Sequence, residues 1–174
     1  MQLRGGNLVS NAKGLLLKRE FNASRELVFQ VWTDPKHFGN WWGPKGFALE
    51  VARMDVRPGG MFLGCQKSPD GQHVMWGKFV YQEVQEPEKL VWVQSFSDEE
   101  GNTVRAPFNS NWPLEILNIL TLEEKEGRTI LTLQGGPINA AAEEQEAFDG
   151  MAPMVAQGFE GTFETLANYL ANQQ

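Results

Sequence analysis

Cysteine occurs once, at Cys65, so no intrachain disulfide can form and no paired-cysteine metal motif exists. Histidine is almost as scarce, and His37 and His73 are too few for a histidine-rich metal centre. Basic clusters are missing too. The 15 Lys and Arg stand against 22 Asp and Glu, for a net charge of −7, which argues against holding a phosphate backbone. No uninterrupted apolar run approaches the roughly 18 residues that cross a bilayer. The opening MQLRGGNLVSNAKG has no apolar segment of the signal-peptide kind. Walker, GxGxxG and HExxH patterns are absent. The expectation is a cytoplasmic protein that engages no nucleic acid, membrane, metal or cofactor.

Aromatic side chains are what the chain has in plenty. It carries 6 Trp and 11 Phe in 174 residues that are 41% hydrophobic, a length suited to one domain with a sizeable core. Residues 1–13 are polar and read as a flexible segment; residues 14–174 read as the domain. Leu15 to Phe21 forms a strand. Ser24 caps a helix from Arg25 to Trp32, whose Leu27, Val28, Val31 and Trp32 make one apolar face. Asp34-Pro35 opens a second short helix through Trp42, stopped by Gly43-Pro44.

Strands and turns follow. Phe47 to Val56 runs into Arg57-Pro58-Gly59-Gly60, a type II turn pattern. Met61 to Lys67, Val74 to Val84, Leu90 to Phe96, Leu114 to Glu124 and Thr129 to Gln134 are further strands, the last two a hairpin around Glu126-Gly127. Cys65, after Met61-Phe62-Leu63-Gly64, reads as an inert strand residue. Residues 140–174 read as helix, re-aimed near Gly150 and Pro153. Val155, Phe159, Thr162, Phe163 and Leu166 lie on its apolar stripe.

Hairpin-linked strands make a meandering antiparallel sheet, and a single long helix must bury its stripe on the inner face. The resulting α+β class is a helix-grip: a curved sheet of six to seven strands around the C-terminal helix, with two short helices after the first strand. A gripped helix seldom fills such a half-barrel. Trp41 and Trp42 then cap the end of an apolar interior, one near Phe38 and Val31, the other under the Phe47 strand or at the mouth.

The series Phe21-Asn22-Ala23, Val31-Trp32-Thr33-Asp34-Pro35, Trp41-Trp42-Gly43-Pro44, Asp55-Val56-Arg57-Pro58-Gly59-Gly60 and Pro87-Glu88-Lys89-Leu90-Val91-Trp92 resembles the activator of heat-shock-protein-90 ATPase-like family. Gly158 to Leu170 resembles that family's closing helix, with Phe159 where Trp is commoner. The resemblance implies a START-like, birch-pollen-allergen-like fold with a cavity. It brings three uses into view: carriage of a small apolar or aromatic ligand, polyketide cyclase or aromatase chemistry, and contact with a chaperone or other protein.

Val31, Phe38, Trp41, Trp42, Trp76, Phe79, Trp92, Trp112, Phe159 and Phe163 are the candidate ligand-binding residues, since ligand sites are mostly apolar. The same side chains can equally pack the interior. No catalytic set emerges. Arg57 reads as a turn residue paired with Asp55 or Glu50, His73 as a surface residue, and Glu143 to Glu146 as a solvated helix start. His37 is a candidate for the cavity mouth. Arg53 and Glu115 face inward or outward according to strand register. A binding module is therefore the functional reading, with an enzyme and an interaction domain as the alternatives.

Overall fold

The computed structural model describes residues 14–173. The expected flexible stretch 1–13 lies outside the described residues. β1 (Leu15–Phe21) ends where Ser24 caps α1 (Arg25–Thr33), its hydroxyl accepting from the Leu27 N–H at 3.2 Å. Asp34 then caps α2 (Pro35–Phe38), with Pro35 at the first helical position. This second helix is shorter than the sequence suggests. Trp41 and Trp42 sit in the turn beyond it. The Trp41 and Trp42 N–H groups both reach back to the Phe38 carbonyl, at 3.4 and 3.2 Å, so the helix ends in a tightened last turn.

Six strands follow: β2 (Ala48–Met54), β3 (Met61–Lys67), β4 (Val74–Gln85), β5 (Lys89–Phe96), β6 (Ile116–Lys125) and β7 (Arg128–Pro137). The type II turn before β3 is present: Gly59 has φ +82 and the Gly60 N–H donates to the Arg57 carbonyl at 2.7 Å. Arg57 pairs with Asp55 at 2.7 Å. The seven strands form one antiparallel sheet in the order β1-β7-β6-β5-β4-β3-β2. Their concave face receives α3 (Ala142–Ala171). This is the helix-grip architecture.

α3 runs without a break through Pro153, although the sequence suggests a re-aimed axis there. Pro153 itself is exposed. Met151 and Val155, on either side of it, pack against the buried Ala106, Trp112 and Phe148. Those contacts offset the lost backbone hydrogen bond. Farther along, Phe163 meets Phe21 edge-on at 6.2 Å and Glu164 pairs with Arg19 at 2.9 Å, which docks this part of the helix on β1. A larger core lies beneath it, built on Val28, Trp32, Phe38, Trp92, Leu120, Leu133 and Leu166. No helix among the described residues is long and apolar enough to cross a membrane.

The loop after β5 folds over the convex face. Asp98 accepts from the backbone N–H groups of Glu100 and Asn102 and from the Asn102 amide. A Cβ on Gly101 would touch Met61 and Leu63, whose side chains alternate away from the concave Phe62 and Gly64. The Asn102 backbone and side-chain hydrogen bonds hold the Asp98 carboxyl below its ordinary range. A carboxyl depressed in the folded state stabilises above its unfolded pKa of about 3.9 and loses that contribution as pH falls through the folded value. Asp98→Asn should therefore flatten the decline of the urea midpoint below about pH 4. Equal acid slopes for wild type and variant would refute the coupling.

Candidate functional site

The concave face is not evenly filled. Toward α1, inward positions carry Leu90, Leu120, Leu133 and Trp92, and the core is tight. Toward the other end the inward register places Phe62 opposite Phe79, then Gly64 opposite Gly77. Neither glycine adds a side chain at that level; the Phe62 ring and Leu49 close over Gly64, and the space in front of Gly77 stays open. A Cβ on Gly77 would meet only the Ser95 carbonyl, at 3.7 Å. Above this bare strip α3 contributes Met151, Val155, Gly158, Phe159 and Thr162, and Gly158 again adds no side chain.

A cavity of about 360 Å³ fills the gap, in the range typical of small-molecule sites. It separates the main core from the smaller cluster around Ala106, Trp112 and Phe148. Trp42, Trp76, Phe79, Trp112 and Phe159 line it, together with Phe62, Phe96 and Phe108. Val31, Phe38, Trp41, Trp92 and Phe163 do not; they are buried in the adjoining main core. The two tryptophans of the WWGP segment thus have different places. Trp41 is buried, donating its indole N–H to the Val31 carbonyl at 2.9 Å and meeting Trp32 edge-on at 4.7 Å. Trp42 is half-buried and stacks on Phe38 at 5.4 Å.

The segment bearing them is fastened on both sides. The Gln66 amide donates to the Trp42 carbonyl at 3.3 Å, and the Thr162 hydroxyl donates to the Gly43 carbonyl at 3.0 Å. Gly43 has φ +117, and a Cβ there would lie 2.3 Å from the Gln66 amide nitrogen, so only glycine allows this approach.

Lys78 is the one charged residue among the described residues lining the cavity. Its ammonium donates to the Gly101 carbonyl at 2.9 Å, in the loop over the convex face. The polar lining is otherwise neutral: Gln66, Gln94, Ser95, Asn118 and Thr162. His37 bonds the Tyr169 hydroxyl at 2.7 Å and His73 is exposed; neither lines the cavity. Arg53 is exposed, and Glu115 accepts from Asn139 at 3.1 Å. Glu144 is drawn out of the expected solvated helix start: it pairs with Arg105, which holds its carboxyl below the ordinary range. Burial pushes the Cys65 thiol up, as befits an inert strand residue. Among the described residues no group of three or more His, Cys, Asp or Glu could hold a metal.

Sequence reasoning found aromatic walls but missed the glycine floor and the carboxamides. The signal was available only as a cross-strand pair, Gly64 with Gly77, visible once β3 and β4 are in register.

A sequence profile of the family described as Activator of Hsp90 ATPase homolog 1-like protein matches residues 22–171. No curated protein matches the chain. Among solved structures, a Mycobacterium smegmatis protein is 25% identical with a TM-score of 0.74, over 92% of each chain. An Arthrobacter aurescens protein is also 25% identical, with a TM-score of 0.76 over 92% of this chain and 87% of its own. An AHSA1 protein of Silicibacter pomeroyi shares the fold at 20% identity, with a TM-score of 0.71 over 92% and 99% of the two chains.

Proposed function

The chain belongs to the Activator of Hsp90 ATPase homolog 1-like family, and from that premise we propose that it binds a small apolar or aromatic ligand between the sheet and α3. Family and fold support ligand or protein binding in general. The observation that carries the finer reading is the 360 Å³ cavity with its aromatic walls and paired-glycine floor. An interior left open in front of Gly77, where a Cβ would meet nothing nearer than the Ser95 carbonyl at 3.7 Å, is unlike the close packing of an ordinary core. Binding is the role these groups fit. The described lining residues include no carboxylate or histidine to serve as a general acid or base in the cyclase-like alternative.

Mass spectrometry of an organic extract tests the reading. Protein purified from cells should release one apolar compound in near-equimolar amount, and refolded, extracted protein should take it up again. Extracts that match those of an unrelated control protein, with no uptake by the refolded protein, would overturn it.

A further inference from the structure

Two carboxamides in the cavity wall have fixed orientations. An indole N–H can only donate, and that of Trp92 lies 3.3 Å from Gln94 Oε1. This contact decides which end of the Gln94 amide is the oxygen, a question left open where a carboxamide meets only ambivalent partners. Asn118 Nδ2 reaches the same Oε1 at 3.2 Å and the Ile116 carbonyl at 3.5 Å, so the Asn118 amide is fixed in turn. Both remaining atoms, Gln94 Nε2 and Asn118 Oδ1, make no hydrogen bond among the described residues, and both side chains belong to the cavity lining. Asn118 is 5% exposed. Its oxygen has room because position 135 is glycine: a Cβ there would lie 2.7 Å from Oδ1.

The wall therefore offers one amide donor and one amide acceptor from neighbouring side chains. Among the described residues Lys78 is the one charged side chain in the lining, and its ammonium is engaged by Gly101. A buried carboxylate would find no cation here, and an ion without a partner is costly to bury. A bare hydrocarbon would leave both amide atoms unsatisfied.

We infer that the cavity selects an uncharged ring compound bearing a group that both donates and accepts a hydrogen bond, such as a hydroxyl or lactam, held by Gln94 Nε2 and Asn118 Oδ1. This rests on the ligand-binding reading above and adds the chemical class. Gln94 and Asn118 set specificity; the aromatic walls supply most of the contact area.

Equilibrium dialysis at pH 7 with 2-naphthol, naphthalene and 2-naphthoate separates the two claims. Naphthol should bind about tenfold tighter than naphthalene, the size of one to two net hydrogen bonds, and naphthoate should bind weakest. Gln94→Met should bring the naphthol-to-naphthalene affinity ratio close to one, with naphthalene gaining affinity as the unsatisfied amide is removed. Asn118→Leu gives an independent variant, with folding of each checked by its thermal unfolding midpoint. Naphthoate binding tightest, or a naphthol preference intact in both variants, would overturn the inference while sparing the cavity. Failure of all three probes to bind would overturn the cavity reading and the inference with it.

Discussion

Replacing Gly77 with leucine should abolish ligand binding and leave the protein folded. The new side chain starts from a backbone with ordinary φ, and its Cβ meets nothing nearer than the Ser95 carbonyl at 3.7 Å. Beyond Cβ it enters the cavity from the floor. Leucine also suits a strand better than glycine does, so stability should hold or rise slightly. Binding of the uncharged fluorescent probe N-phenyl-1-naphthylamine should weaken by more than about tenfold, because probe and side chain require the same volume. Gly64→Ala is the contrasting change. Its Cβ would lie 2.7 Å from the tip of the Phe62 ring and 3.0 Å from Leu49, so that variant should lose stability. Full probe affinity in Gly77→Leu would show that the ligand sits elsewhere.

Trp32→Ala should be among the most destabilising single substitutions in the chain. Trp32 is 1% exposed and lies within 6.2 Å, centroid to centroid, of Phe38, Trp41, Trp42 and Trp92. Removing the indole leaves a large void among rings that are themselves anchored, Trp41 by its bond to the Val31 carbonyl. A loss of about 3–5 kcal/mol is expected from urea denaturation. Trp32→Phe should cost much less. The Trp32 indole N–H is buried with no hydrogen-bond partner among the described residues, and its removal relieves a desolvation penalty of about 1–3 kcal/mol that partly offsets the lost contacts. A loss below about 1 kcal/mol for the alanine variant would mean that the aromatic cluster closes over the gap.

Local chemistry was legible in the sequence where one residue fixes one backbone state. Ser24 and Asp34 cap their helices, and Pro58-Gly59 makes its turn, because cap and turn preferences act over three or four residues. The helical stripe of α3 was legible too: Phe163 and Leu166 are both buried. Competition between local and distant forces was harder to read. Pro153 argues for a break, yet contacts from Met151 and Val155 to the Trp112 cluster hold the helix together. The Trp41-Trp42 pair continues a helical pattern, yet α2 ends at Phe38 and the two residues close it in a turn, Trp41 buried and Trp42 half-buried.

The site was the least legible part, for a geometric reason. Composition shows that aromatics are abundant but not at which level of the sheet each one lies. Trp92 and Phe79 are stacked at 4.9 Å, yet Phe79 lines the cavity and Trp92 does not. The Gln94–Asn118 pair joins two strands separated by a long loop, so its function appears only when β5 and β6 are side by side.

The strand order also governs how the chain can be assembled during synthesis. β1 is made first among the strands, but its neighbour is β7, with Leu15 paired to Gly135. Until β7 leaves the ribosome, β1 has no sheet partner, and its backbone N–H and C=O groups stay in water. β2 to β5 can meanwhile zip together hairpin by hairpin, exposing a greasy concave surface that α3 covers only later. Pairings so distant along the chain are slow to form, and the half-built sheet presents unpaired edges to its neighbours. For this topology the hazardous interval is biosynthetic: a nascent chain with its sheet laid and its helix still to come is the species most exposed to aggregation.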